Sequence, residues 1–342
     1  MTCGGTNPRV SPVPHTLSGG DDSVRRVIQD FRRDALVTFH ELPVFVFDVS
    51  SADDLGAGGV PDDVESWAFR VGAAEYDGPD GEDIWKLFLD SVDTKRVRAL
   101  SLGAWDSQEA GAGWEEYQAA VVEAADRFPA LEALFVADIP VEMSEVSWIE
   151  QVDPGPLLAA FPNLVEFGIR GAADLRPLVH DRLRELTLQS GGLPPAGVRA
   201  VAASTLPALT GLDLYLGTEH YGGGATPEDL AGILSGAAFP NLRHLGLRNV
   251  DGADELAAAV AHAPVVAQLE SLDLSLGTLS DEGAAALLAG QPLTHLRALT
   301  LRHHFLSDEM ISRLWEALPD TEVDVDEQLL ASDGDRYIAV SE

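Results

Sequence analysis

Apolar residues recur along this chain as Leu-x-x-Leu-x-Leu, and the C-terminal third shows the unit most plainly. Leu269, Leu272 and Leu274 are followed by Leu279, then Ser280-Asp281-Glu282-Gly283 and Leu287-Leu288. Leu296, Leu299, Leu301 and Leu306 precede Ser307-Asp308-Glu309-Met310 and Leu314 in the same order. Alternating apolar positions over so short a run predict a strand with one face turned to a core. The Ser-Asp-Glu run predicts a helix start. The hydroxyl can accept from an unbonded amide of the first turn, and the acids suit the positive end of the helix dipole. One strand and one helix cannot bury their apolar sides alone, so copies are expected to stack.

The same triplet occurs as Val97-Leu100-Leu102, Leu131-Leu134-Val136, Leu164-Phe167-Ile169, Leu183-Leu186-Leu188, Leu209-Leu212-Leu214 and Leu242-Leu245-Leu247. Between the central positions of the eight triplets the steps are 34, 33, 19, 26, 33, 27 and 27 residues. Such a series implies a solenoid, which gains length without gaining domains. Pro129, Pro162, Pro207 and Pro240 each stand two residues before a triplet, where proline ends a preceding helix. Thr226-Pro227-Glu228-Asp229 predicts a helix with proline at its first position. The 19-residue step leaves room for little more than a turn around 174–179. The longest steps predict loops at 141–147 and 216–225, both after a strand and so at the C-terminal edge of the sheet. Val323 and Val325 predict a closing strand.

Outside the repeats, residues 1–22 are rich in Thr, Gly, Pro and Ser and are expected to form a flexible tail. A helical stripe is expected over 24–39 and a strand over 42–49. Trp67-Ala68-Phe69-Arg70-Val71 alternates as a further strand. These readings divide the chain into a tail at 1–22, an N-terminal capping region at 23–95, repeats at 96–326 and an acidic C-terminal tail or cap at 327–342.

The repeat resembles the long, helix-containing leucine-rich repeat of ribonuclease-inhibitor-like proteins. That resemblance implies an α/β solenoid, a horseshoe or arc with a parallel β-sheet on its concave face and helices and loops on its convex face. Most such repeats place Asn three residues after the third leucine, but those positions here read Ile139, Ala172, Gly191, Gly217, Val250, Gly277 and His304. The usual asparagine ladder is therefore not expected. Beyond the repeat, His40-Glu41-Leu42-Pro43-Val44-Phe45, Ser147-Trp148-Ile149, Tyr221-Gly222-Gly223 and the closing Arg336-Tyr337-Ile338-Ala339-Val340 resemble one bacterial family of cytoplasmic leucine-rich repeat proteins. Genes of that family tend to sit beside radical-SAM-type and phosphatase-like hydrolase proteins. The resemblance implies no catalytic residue and points to a protein partner from the same gene cluster.

The charge narrows the choice of partner. With 56 acids against 22 bases the net charge is −34, which repels nucleic acid and anionic membrane surfaces alike. A single cysteine, Cys3, forms no intrachain disulfide and suits a reducing compartment. No secretory signal pattern and no apolar run long enough for a membrane helix is seen. A cytoplasmic monomer is expected.

Candidate chemistry is sparse. Gly222-Gly223-Gly224 lacks the Lys-Ser/Thr of a phosphate loop, and no nucleophile elbow marks a Ser-His-Asp set. His303 and His304, with His244 two repeats earlier, invite a metal reading. Adjacent residues of an extended segment point to opposite faces, so neither a metal nor another cofactor is expected, and the histidines read as solvated or hydrogen-bonded surface groups. The strand residues that face away from the leucine core include seven bases and seven acids, nearly neutral on a strongly acidic body. One row carries Arg170, Gln189, Tyr215, Arg248, Ser275 and Arg302. These groups can pair across strands and merely solubilise the sheet, or they can present a binding face. The candidate binding residues are Arg170, Tyr215, Arg248 and Arg302, with Asp213 and Asp273 beside them and Trp148 and Tyr221 on the inserted loops. Pointing away from the core, the row is expected to cost the fold little when removed. The expected function is a non-enzymatic interaction scaffold that binds a protein through the concave face and the C-terminal-edge loops. The alternative is an accessory protein that binds a small molecule or peptide substrate for a neighbouring enzyme.

Overall fold

The backbone pleat of each triplet turns its leucines to one side, and neighbouring copies then pair so that like meets like. In a computed structural model, residues 35–48, 59–73, 75–331 and 335–340 are described, all within the unit that begins at Phe31. The expected tail at 1–22 and the part of the helical stripe over 24–34 lie outside the described residues.

The strands are β1 Thr38–Phe39, β2 Leu42–Phe47, β3 Ala68–Val71, β4 Ala99–Leu102, β5 Ala133–Val136, β6 Glu150–Gln151 and β7 Glu166–Arg170. They continue as β8 Ala172–Ala173, β9 Glu185–Gln189, β10 Gly211–Gly217, β11 His244–Val250, β12 Ser271–Asp273, β13 Ala298–Thr300 and β14 Glu322–Asp324. Twelve of them form one sheet in the order β1-β2-β3-β4-β5-β7-β9-β10-β11-β12-β13-β14, parallel throughout except for the β1–β2 hairpin. One apolar row runs unbroken across it: Phe45, Phe69, Leu100, Leu134, Phe167, Leu186, Leu212, Leu245, Leu272, Leu299 and Val323 are register partners in turn. A one-residue slip anywhere would turn a strand's leucines to the wrong face, so the pattern fixes the register.

Helices cover this apolar side. Ile84, Trp85 and Phe88 of Gly81–Ser91, Tyr117 and Val121 of Trp114–Glu123, Leu287 of Asp281–Ala289 and Leu314 of Asp308–Ala317 join the strand leucines in one core. Strands β2 and β3, in the stretch expected as a cap, continue the same parallel register as the repeats. Between β7 and β9 the described residues hold no helix, only β8 and a bridge from Val179 to Thr205, as the 19-residue step requires. This is the leucine-rich repeat solenoid, an α/β fold.

Two local expectations need correction. Residues 35–39 do not extend a helix; they enter β1 and turn back at His40 and Glu41, both at positive φ, as a tight two-residue hairpin demands. Thr226-Pro227-Glu228-Asp229 closes as a turn, with Asp229 accepting from the Thr226 amide and hydroxyl, and the helix proper is Ala231–Leu234.

Side chains at the helix starts link the last repeats to one another. Ser280 and Ser307 each cap their own helix, accepting from Glu282 and Met310 amides. Each hydroxyl also donates to the acid of the preceding repeat: Ser280 Oγ to Asp254 at 2.7 Å and Ser307 Oγ to Asp281 at 2.7 Å, with the serine amides donating to the same carboxylates at 2.8 Å. Asp308 passes the pattern on to Gln328 Nε2 at 3.0 Å. The Ser-Asp pair thus serves one repeat with its serine and the next with its acid.

Loss of the core and loss of such a link should be distinguishable in denaturant melts. Leu245→Ala empties fully buried volume and should lower stability by about 2–5 kcal/mol. Asp281→Ala removes only the cap-to-cap link and should cost about 0.5–2 kcal/mol. Equal effects of the two would contradict this division.

Candidate functional site

The outer face of the sheet, opposite the leucine core, is where the sequence places the binding row. Its N-terminal part is apolar and covered. Ala68, Ala99 and Ala133 are small enough for the entering chain to lie on them, and Leu36, Phe39 and Phe135 complete a second buried cluster. His40 ties this cover down, with Nδ1 2.8 Å from Glu166 Oε2 and Nε2 3.4 Å from Glu132 Oε2. The Leu36 amide donates to Asp138 Oδ1 at 2.8 Å.

Residues 335–340 run along the C-terminal edge of the sheet, where the later strands end. Arg336 Nη1 bonds Asp254 and the Thr278 carbonyl, each at 2.7 Å. The Ala339 amide donates to the Leu276 carbonyl, and the Val340 amide donates to Asn249 Oδ1 at 2.9 Å while the Asn249 amide group donates back to the Val340 carbonyl. Val340 packs with Tyr215, Leu276 and Val146.

Between and beneath these covers lies the polar row, and its burial overturns the expectation that it faces solvent. Arg170, Tyr215, Arg248, Asp213 and Asp273 are all buried. Arg248 Nε lies 3.0 Å from Asp213 Oδ1 and its Nη2 2.7 Å from Asp273 Oδ2, with the guanidinium over the Tyr215 ring at 5.7 Å. Burial works against the charge on Arg248, but Asp213 and Asp273 outweigh it and hold the pKa above the usual arginine value. Gly246 makes this possible: a Cβ there would come within 2.0 Å of Asp213 Oδ1. Removing one partner from such a cluster strands a buried charge, so these residues carry stability that a solvent-facing row would not.

Arg302 differs, its side chain remaining 28% exposed and paired with Asp324, Asp326 and Glu327. The edge charges pair as well: Arg98 with Glu132, and Arg243 and Arg297 with Glu270. Cross-strand pairing is thus present along much of the face.

The inserted loops are more open. Trp148 is 67% exposed, and its indole N–H donates to Glu145 Oε2 at 3.2 Å. Tyr221 is partly buried, with its ring edge-on to His220 at 4.8 Å. Sequence reasoning missed Tyr76, which is 53% exposed and donates through its hydroxyl to the Met143 carbonyl of the loop bearing Trp148. It also passed over Arg70, whose outward place in the alternation of β3 was its only signal.

His303 and His304 are buried, contrary to their expected place at the surface. His304 Nδ1 accepts from the Leu306 amide at 3.1 Å, so Nε2 carries the hydrogen and donates to the Val325 carbonyl at 2.8 Å. Burial holds its pKa below the usual histidine value. His303 Nε2 bonds the Tyr337 carbonyl at 3.0 Å. Among the described residues no group of three or more His, Cys, Asp or Glu is placed to hold a metal ion, and no helix is long and apolar enough to cross a membrane.

His40 makes the N-terminal cover sensitive to pH. Its hydrogen bond to Glu166 raises its pKa above the usual 6.5 against the opposing effect of burial. A raised folded-state pKa contributes stability that is full below about 6.5 and fades as pH rises through the folded value. The stability advantage of wild type over His40→Gln, followed by urea melts across pH, should therefore be largest in acid and shrink toward alkaline pH. An advantage that grows with pH would contradict the contact.

No protein-family model matches the chain, and no curated protein matches it either. Among solved structures, the chain matches one in the crystal structure of a TLR13–ssRNA13 complex at 13% identity and a TM-score of 0.36, covering 80% of this chain and 38% of that one. It also matches the APL1 leucine-rich repeat domain at 14% identity and a TM-score of 0.30, over 86% and 87% of the two chains. Likenesses this low carry no argument. The crystal structure of a Bacteroides fragilis protein from a structural genomics consortium is different in kind, at 30% identity and a TM-score of 0.72, over 81% of this chain and 78% of that one. On that likeness, the chain belongs to the same family as the Bacteroides fragilis protein.

Proposed function

We propose that this chain is a non-enzymatic interaction scaffold that captures a protein partner with aromatic side chains on the loops at the C-terminal edge of its sheet. The observation that carries this reading is Trp148, a large apolar ring left mostly in solvent on a loop whose backbone is fixed. The Tyr76 hydroxyl pins that loop at Met143, and the Glu150 amide donates to the Gly111 carbonyl of a third loop at 3.1 Å. An indole already held by Glu145 loses little freedom on binding, which favours affinity. Trp and Tyr are the side chains enriched at interface hot spots.

Exposed acids stand on the same segments: Glu75 and Asp77 beside Tyr76 in the chain, Glu142 beside Met143, and Glu109 two residues before Gly111. They add to a chain whose net charge is −34. The partner surface that fits is basic, with arginine or lysine able to sit on the ring faces as well as on the acids. A product of the same gene cluster is the first candidate.

Trp148→Ala should weaken capture by about 2 kcal/mol, roughly thirtyfold, and Tyr76→Ala by a smaller factor. The melting temperature should hardly move, since both rings are exposed. The measurement is capture from native lysate, and separately from purified cluster proteins, by wild type and the two variants. A stoichiometric partner lost with Trp148→Ala supports the reading. Undiminished capture by the Trp148→Ala/Tyr76→Ala double variant, or no partner at all, would refute it.

A further inference from the structure

Apart from Arg248 Nε, which lies 3.0 Å from Asp213 Oδ1, three buried donors on the outer face of the sheet have no hydrogen-bond partner among the described residues: Arg70 Nη2, Arg170 Nη2 and Gln189 Nε2. They belong to one constellation. Arg70 Nε donates to the Asp138 carbonyl at 3.0 Å, and Arg170 Nη1 donates to the next carbonyl, Ile139, at 2.6 Å, so the two guanidiniums grip consecutive peptide units. Gln189 is the register partner of Arg170 on the neighbouring strand, and its Oε1 accepts from Arg170 Nε at 2.9 Å. Nη2 shares its edge of the guanidinium with Nε, so that edge is only half used. Unmet buried donors cost roughly 1–3 kcal/mol each, more when charged, and native proteins rarely leave several together.

The charge balance agrees. The one carboxylate bonded within the constellation is Asp138, and it is already shared among the Leu36 amide, the Ser101 hydroxyl at 2.6 Å and Arg70 at 3.6 Å. Arg248, two strands beyond Gln189, is flanked by two carboxylates, Asp213 and Asp273. Burial correspondingly holds the Arg170 pKa below the usual arginine value, with Asp138 opposing it only in part.

The place is also distinctive. Phe135 lies flat where a Cβ on Gly168 would stand, within 2.3 Å of its ring, and Arg170 rests over that ring at 5.9 Å. The N-terminal cover ends on Phe135, and the C-terminal segment packs on Tyr215. Strands β7 and β9, which carry Arg170 and Gln189, fall between the two.

We propose that Arg70, Arg170 and Gln189 form a binding site for a compact oxyanion, the carboxylate or phosphate group of a small ligand. Two guanidinium edges and an amide are the donors that planar or tetrahedral oxyanions take. The site does not include Trp148, although its arginines bond Asp138 and Ile139 at the start of the same loop, and it does not rest on the scaffold reading; a ligand there would give the chain a second role as carrier or sensor of a small acid.

The test is a thermal melt of the full chain at constant ionic strength, with inorganic phosphate or acetate replacing chloride. Binding to the folded state should raise the melting temperature in a saturable way. The anion that saturates identifies the source, and Arg170→Gln should move its midpoint about tenfold or more. Gln189→Glu keeps the oxygen that Arg170 Nε needs and puts a carboxylate beside the unmet donors. It should melt at or above wild type and lose the response to the anion. No saturable shift with either anion would mean that the donors hold ordered water only, and would overturn the proposal. So would an undiminished response in Gln189→Glu.

Discussion

A single strand of this protein cannot bury its leucines or complete its own hydrogen bonds; only the next copy, in register, does both. The rest of the structure follows from that requirement. Because Leu245 must meet Leu212 on one side and Leu272 on the other, every strand is held to one register. The pleat then decides which residues are left on the outer face. Strands about 4.8 Å apart bring those residues within reach of one another. Charges on the face therefore settle each other's positions: Arg248 lies between Asp213 and Asp273 because their strands flank its own.

The outer face is divided by what the chain lays across it. Alanines under the N-terminal hairpin let Leu36 and Phe39 close over β3 to β5, and Asn249 reads the backbone of Val340 at the other end. Large aromatic side chains remain exposed at the loops after β5 and near β3, where the inserted residues rise above the sheet edge. A partner protein and a small anion would therefore use different groups, one the exposed rings of the loops and the other the unmet buried donors between the two covers.

Much of this fold is legible in the sequence, and the limits of that legibility have physical causes. Period-two alternation and the Ser-Asp-Glu starts mark strands and helices because each is a local property. The loops at 141–147 and 216–225 show as extra length. Alternation tells which side of the sheet Arg248 or Tyr215 faces, but not what later folds onto that side. The covers come from residues 35–40 and 335–340, far away in the chain, and their docking leaves only faint marks. Those marks are the small outward residues: Ala68, Ala99 and Ala133 beneath one cover, and Gly168 and Gly246 where Phe135 and Asp213 need the room. Apolar spacing over 24–39 cannot show that His40 and Glu41 adopt positive φ, because the turn is held by contacts of His40 with Glu132 and Glu166.

The central claim is that the polar row belongs to the buried framework and is no solvent-facing stripe. A double-mutant cycle on Arg248 and Asp273, whose charged atoms are 2.7 Å apart, measures this directly in denaturant melts. Burial predicts that Arg248→Met and Asp273→Asn each destabilise by about 3–5 kcal/mol, and that the double variant costs less than the sum of the two by a coupling of roughly 2–3 kcal/mol. Single costs and a coupling all below about 1 kcal/mol are what an exposed pair gives, and would contradict the account.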